Sequence, residues 1–257
     1  MTGTDRTQIE PPQDHGPVVI LVGAQMGENI GAAARAMMNC GITRMRLVAP
    51  RDGWPNPAAE AMSSGALELM PPVEVFATTA EALADINHVY ATTARPRDMV
   101  KHVLTARGAA EDMHTRIKSG EKTAILFGAE RSGLANDDVA LAQSIITIPL
   151  NPGFSSLNLG QAVLLVCHEF MSAGDATPPK QLPTGDSAPA THDALVNLYE
   201  RLEDALDDAG FFRSPEMKPS IVRNLRNMLG RAEMTEQEVR TFHGMISVLA
   251  GRRTGHD

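Results

Sequence analysis

An α/β fold, built on a parallel sheet with helices on both faces, follows from three features of the sequence. Short apolar runs rich in β-branched residues alternate with segments of helical period from residue 17 to residue 170, the pattern of strands joined by crossover helices. Residues 172–191, SAGDATPPKQLPTGDSAPAT, are dense in Pro, Gly, Ser, Thr and Ala, which makes a flexible linker. Beyond them the periodicity is helical. The expected organisation is a disordered leader at 1–15, an α/β domain at 16–172, a flexible linker at 173–191 and a helical extension at 192–253.

Taken in order, PVVILVG at 17–23 predicts a buried strand and ENIGAAARAMMNCG a helix over 28–41 that stops at Gly41. RMRLVAP predicts a second strand closed by Pro50, residues 57–70 an Ala-rich helix, VEVFAT a short strand and TAEALAD a short helix. HVYATTA at 88–94 is a fourth strand, followed by a basic loop at 95–107 and a helix over 108–119. KTAILFG at 122–128 is a strand, and ANDDVALAQ at 135–143 a helix with Ala135 or Asn136 near its cap. Residues 145–169, IITIPLNPGFSSLNLGQAVLLVCHE, run from strand through a polar loop into a buried helix. Helical periods then cover 192–209, 217–229 and 235–250, with Leu195, Leu198, Tyr199, Leu202 and Leu206 on one face of the first.

Composition narrows the class. The chain has 257 residues, 43% of them apolar, and a formal charge of −8. That balance opposes a general nucleic-acid coat, because phosphate binding is chiefly electrostatic. It leaves room for local basic runs at 95–107, with Arg95, Arg97 and Lys101, and at 213–231, with Arg213, Lys218, Arg223 and Arg226. No apolar run reaches the roughly 20 residues of a membrane helix and the N-terminus lacks a signal-peptide pattern, so a cytoplasmic location is expected. Cys40 and Cys167 lie inside apolar helical patterns and read as core residues, and the histidines show no metal-ligand spacing. His88 and His102 read as structural or exposed.

Three loops that follow strands could carry chemistry. The first, VGAQMGENIGAAARA, offers Gly23, Gly27, Gly31, Asn29 and Arg35. Its spacing is not GxGxxG, no acidic residue ends the second strand, and no Lys-Ser/Thr follows the glycines, so neither a dinucleotide fingerprint nor a Walker A loop is present. Asn29 suits a cap at the helix mouth, with Arg35 within reach. The second loop, LFGAERSGLAND, projects Glu130 and Arg131 between Gly128 and Gly133; the third, NPGFSSLNLG, places Ser155, Ser156 and Asn158 just before a helix.

Together and in this order, NIGAAAR, LFGAERSGL and IPLNPGFSSLNLGQAV closely resemble the three motifs of the SpoU/TrmH group of SPOUT RNA 2′-O-ribose methyltransferases. The resemblance covers residues 17–170. The linker and helical tail further resemble the extension of a tRNA-modifying branch that acts on cytidine or uridine at the start of the anticodon loop. It implies a sheet ending in a deep trefoil knot, an exception to the rule against threaded chains, and a homodimer through the knot region. It also implies S-adenosylmethionine as cofactor, held by Thr92, Thr93, Ala94, Gly128, Ile148, Ser155, Ser156 and Leu157. An adenine ring suits such an apolar, backbone-rich slot, which backbone could approach closely at Gly128.

By the same resemblance Arg35 is the catalytic residue, and Asn29, Glu130, Ser156 and Asn158 shape the site around it. The family's mechanism makes the arginine a general base, whereas a protonated guanidinium would instead hold a phosphate and stabilise a developing alkoxide. Both roles stay open on sequence alone. The partner is tRNA, engaged through the basic runs, with ribosomal RNA or another tRNA position as the alternative substrate and a non-catalytic RNA-binding protein as the rival of another class.

Overall fold

The computed structural model describes residues 16–93, 99–178 and 185–251. The chain divides into two compact units, one running to Ala176 and the other starting at Thr177.

In the first unit the elements are β1 (Val18–Val22), α1 (Gly27–Asn39), β2 (Met45–Val48), α2 (Pro57–Ser63), α3 (Ala66–Leu69), β3 (Glu74–Phe76), α4 (Thr79–Ala82), β4 (His88–Thr92), β5 (His102–Thr105), α5 (Ala106–Lys118), β6 (Thr123–Phe127), α6 (Asn136–Leu141), β7 (Ser144–Thr147) and α7 (Leu159–Gly174). The seven strands form one sheet in the order β3-β2-β1-β6-β4-β7-β5, and every pair is parallel. The predicted fold class is therefore the observed one.

Both faces of the sheet are covered, and the pleat shows how. Val19 and Leu21 of β1 join Ile125, Phe127, Tyr90 and Ile146 in a core shared with α1, α5 and α7. Their neighbours Val18 and Ile20 point the other way, into a second core with Leu126, Ala82 of α4 and Val139 of α6, as the two-residue period of a strand requires. Strands buried on both sides read as continuous apolar runs, which is why they were legible.

Two elements differ from expectation. The helix expected over 57–70 breaks into α2 and α3 at Ser64 and Gly65, both in the left-handed region with φ of 53° and 85°. Two such residues in succession end the α-helical hydrogen-bond ladder. The basic loop expected at 95–107 contains β5, an edge strand whose His102 to Thr105 run alongside Ser144 to Thr147 of β7. Its side chains are largely exposed, so it lacks the apolar face that marks a buried strand. Thr105 then caps α5, accepting from Gly108 N at 3.2 Å, and the helix starts two residues earlier than expected.

The second unit consists of α8 (His192–Asp208), α9 (Lys218–Gly230) and α10 (Glu236–Leu249). Leu198, Tyr199, Met234, Val239 and Ile246 form its core, so it rests on an apolar cluster of its own. Thr235 and Glu238 close a capping box at the start of α10, with Thr235 N donating to Glu238 Oε2 at 2.7 Å. Among the described residues no helix is long and apolar enough to cross a membrane.

Candidate active site

In a parallel sheet all strands end at the same edge. The four adjacent strands β1, β6, β4 and β7 therefore bring the first motif, the second motif, residues 92–93 and the third motif to one rim. What joins these loops is a run of hydrogen bonds. Asn29 Nδ2 donates to Glu130 Oε1 at 2.7 Å, and Asn158 Nδ2 donates to Asn29 Oδ1 at 2.8 Å. Asn158 Oδ1 in turn accepts from Gly160 N at 2.8 Å, while Gln161 Oε1 accepts from Asn158 N at 3.1 Å in a capping box that opens α7. Glu130 Oε2 takes a further bond from Gln25 N at 3.0 Å. One carboxylate, two amides and a helix N-terminus thus tie the first motif to two segments that lie 101 and 129 residues further along the chain.

The expected cap role of Asn29 is not what the structure shows. The N-cap of α1 is Met26, and Asn29 sits inside the first turn, buried at 9% exposure. Its side chain turns inward because Glu130 and Asn158 offer an acceptor and a donor, and a buried amide must find both. Burial by itself would raise the Glu130 carboxyl, but the hydrogen bonds from Asn29 and from the backbone of Glu130, Gln25 and Met26 outweigh it and set the group below its ordinary value. Glu130 is held as an anion.

Beside this relay lies a cavity of about 420 Å³. Thr92, Thr93, Gly128, Ile148, Ser155, Ser156 and Leu157 all line it; Ala94 lies outside the described residues. Sequence reasoning missed further wall residues, among them Ile146, Leu150, Leu159 and Ala162. Period-two continuation from Ile148 could have found Ile146 and Leu150, which alternate with it along the chain. The volume falls in the range of small-molecule sites. Its walls mix aliphatic side chains with the hydroxyls of Thr92, Thr93, Ser155 and Ser156, while Glu130 and Arg131 add one charge of each sign. These residues fit a ligand that joins an aromatic base to a zwitterionic amino-acid tail.

Gly128 lines the cavity and also meets a packing requirement. A Cβ on it would lie 2.1 Å from Gly133 C and from Leu134 N. The space is needed by the returning second-motif loop, closed by Gly133 N donating to Ala129 O at 2.8 Å. Gly27 and Gly31 likewise face packing partners: Cβ atoms there would meet Asn56 Oδ1 and Ala59 O, each at 2.2 Å. Those glycines let α2 approach α1.

Arg35 is not drawn into the relay. It is an exposed residue on α1 that does not line the cavity, and no hydrogen bond or ion pair to it occurs among the described residues. At six residues from Asn29 it stands on a different face of the helix.

Residues 16–168 match the SpoU rRNA Methylase family. The chain belongs to the SpoU methylase family. It is similar to the tRNA (cytidine/uridine/adenosine-2′-O-)-methyltransferase TrmJ of Pseudomonas aeruginosa, with 32% identity over 237 residues, 89% of this chain and 91% of that one. The tRNA (cytidine/uridine-2′-O-)-methyltransferase TrmJ of Klebsiella pneumoniae is 31% identical over 92% of this chain and 97% of its own. Among solved structures, TrmJ from Z. mobilis ZM4 superposes with a TM-score of 0.77 at 47% identity, covering 91% of this chain and 99% of that one. A probable methylase family protein from Haemophilus influenzae gives 0.64 at 30% identity, covering 91% and 95%.

In this SpoU-family protein the described residues among those expected to touch RNA fall into two groups, Lys101, Lys218 and Arg226 against Arg213 and Arg223. Lys101 Nζ donates to the carbonyls of Ala140 and Ala142, closing the C-terminal end of α6. Lys218 pairs with Asp207 at 2.8 Å and lies over the Phe212 ring, and Arg226 grips both oxygens of Glu203 at 2.6 and 2.8 Å. Arg213 and Arg223 are exposed and without such partners among the described residues. Arg95 and Arg97 lie outside the described residues.

Proposed function

We propose that this protein is an S-adenosylmethionine-dependent tRNA 2′-O-ribose methyltransferase acting on cytidine or uridine at the start of the anticodon loop. The observation that supports it best is the Glu130–Asn29–Asn158 relay, which joins all three family motifs beside a cavity fitted to the cofactor. The relatives named for tRNA methylation match about nine-tenths of the chain, helical unit included.

Thr92, Thr93, Ile148, Ser155, Ser156 and Leu157 would hold the cofactor, which when bound supplies an electrophilic methyl group. The protein's task is then to place a ribose 2′-oxygen in line with it and manage the proton. Arg35 is the residue we assign to the substrate. As a guanidinium it grips a phosphate beside the target ribose and stabilises the negative charge that develops on the oxygen. Its exposure, outside its own chain's cavity and relay, suits a site completed by a second copy of the protein. Asn29, Glu130 and Asn158 act through position, fixing the rim against which Ser156 and the ribose are set. The exposed Arg213 and Arg223 of the helical unit contribute to tRNA binding.

The test is transfer of labelled methyl from S-adenosylmethionine to unmodified tRNA, with the methylated ribose mapped. Label at the first nucleotide of the anticodon loop is expected, reduced by roughly 10² to 10⁴ in Arg35→Ala. Label confined to ribosomal RNA or to another tRNA position would replace the substrate. Cofactor binding with no transfer to any RNA would remove the catalytic reading.

A further inference from the structure

We propose that Arg51, on the loop between β2 and α2, is an RNA-phosphate contact of this active site. The proposal rests on the methyltransferase reading above and adds a substrate-holding residue that lies outside the three motifs.

The loop leaves the sheet at the end of β2, next to β1, and so stands on the rim that carries Asn29 and Glu130. It is fixed there along its length. Ala49 N donates to Phe76 O and Arg51 N to Ala24 O, both at 3.0 Å. Trp54 packs against the core beneath, and Asn56 Oδ1 occupies the space that a Cβ on Gly27 would need. Ala24 is followed by Gln25, whose N–H bonds Glu130. A short rigid path therefore runs from Arg51 to the relay carboxylate, and Glu130 lies near enough for its charge to act on the Arg51 guanidinium.

The side chain is available. Arg51 is 57% exposed, and its only partner among the described residues is the neighbouring Asp52, itself 44% exposed, at 2.8 Å. Exposed pairs of this kind contribute little and exchange readily. Phosphate, with three acceptor oxygens and a geometry that matches the guanidinium fork, displaces such a carboxylate. No residue of the loop lines the cavity, so Arg51 is left for the polyanion when the cofactor is in place. It also offsets the negative field of Glu130 at the point where RNA must approach.

The experiment measures tRNA binding against salt concentration, together with kcat, KM and S-adenosylmethionine affinity, for the full-length parent, R51A, R51K and D52N. R51A is expected to weaken tRNA binding about tenfold and to reduce the salt slope by about one, with cofactor affinity unchanged. R51K should recover part of the loss. D52N, which frees the guanidinium, should tighten tRNA binding, an opposite sign that a merely structural ion pair would not give. Parental affinity and salt slope in R51A, or weakening by D52N equal to that of R51A, would overturn the proposal. Failure of the underlying reading shows separately, as a parent that transfers no methyl to RNA whatever the binding curves give.

Discussion

Asn29 donates to one motif and accepts from another, so removing it strands two groups at once. In Asn29→Ala, Glu130 Oε1 and Asn158 Nδ2 both lose their partner. The expected cost is about 1–3 kcal/mol of stability, read by denaturant unfolding, with methyl transfer falling in parallel. Asn158→Ala breaks the same relay from its far end. The double variant should therefore be less damaged than the sum of the singles by at least about 0.5 kcal/mol; strict additivity would mean that the two amides act independently. A second residue sets a pH dependence. His88 is buried, its Nε2 is 3.1 Å from Ser144 Oγ, and desolvation followed by the charge of Arg116 lowers its pKa against the opposing pull of Asp112 and Glu121. The folded state thus resists protonation that the unfolded chain accepts below its ordinary value near 6.5. Stability attributable to this group is full above that value and declines as pH falls through it. A His88→Gln variant should show a flatter stability profile between about pH 7 and pH 5, measured by urea unfolding at each pH.

At the scale of elements, close approach governs the outcome. The α1–α2 contact depends on Gly31, where a Cβ would stand 2.2 Å from Ala59 O, a backbone atom that no rotamer change can move. Gly31→Ala is expected to cost about 1–3 kcal/mol, a fall of several degrees in melting temperature. An unchanged melting temperature would show that α2 shifts freely. The same contact explains why the glycines of the first motif were ambiguous in the sequence. Their spacing excluded a dinucleotide fingerprint without saying what the glycines are for, because the atom that demands Gly31 lies 28 residues onward, where no local pattern points back to it. Strands such as β1 and β6 were legible because burial on both faces makes an apolar run. By contrast β5 was not: Val103 is 61% exposed, and the strand exists through its pairing with β7. Thr92, Thr93, Gly128, Ile148 and Ser155 to Leu157 of the cavity were legible through the resemblance of the motifs, whereas Ile146, Leu150, Leu159 and Ala162 were missed. The inward turn of Asn29 was not legible either, since a helix-opening Asn ordinarily caps and only the tertiary partners Glu130 and Asn158 redirect it.

For the whole molecule, alternation along the chain announced a parallel sheet but not its order. That β6 lies between β1 and β4, and β7 between β4 and β5, is fixed by contacts remote in sequence, and this ordering is what gathers the motif loops. The two units differ in what a ligand can do to them. The cavity belongs wholly to the first, whose cores flank the sheet, whereas the second rests on the cluster around Leu198 and Tyr199. A ligand stabilises only the state that binds it, by about 2.7 kcal/mol at a hundred times its Kd. Scanning calorimetry of the full chain should therefore resolve two transitions. S-adenosylmethionine at that concentration should raise one of them by roughly 5–10 °C and leave the other in place. Hydrogen exchange would assign the shifted transition to the strands around β4, β6 and β7. A single transition that moves as a whole would show instead that the helical unit and the sheet unfold together, so that cofactor binding stabilises both.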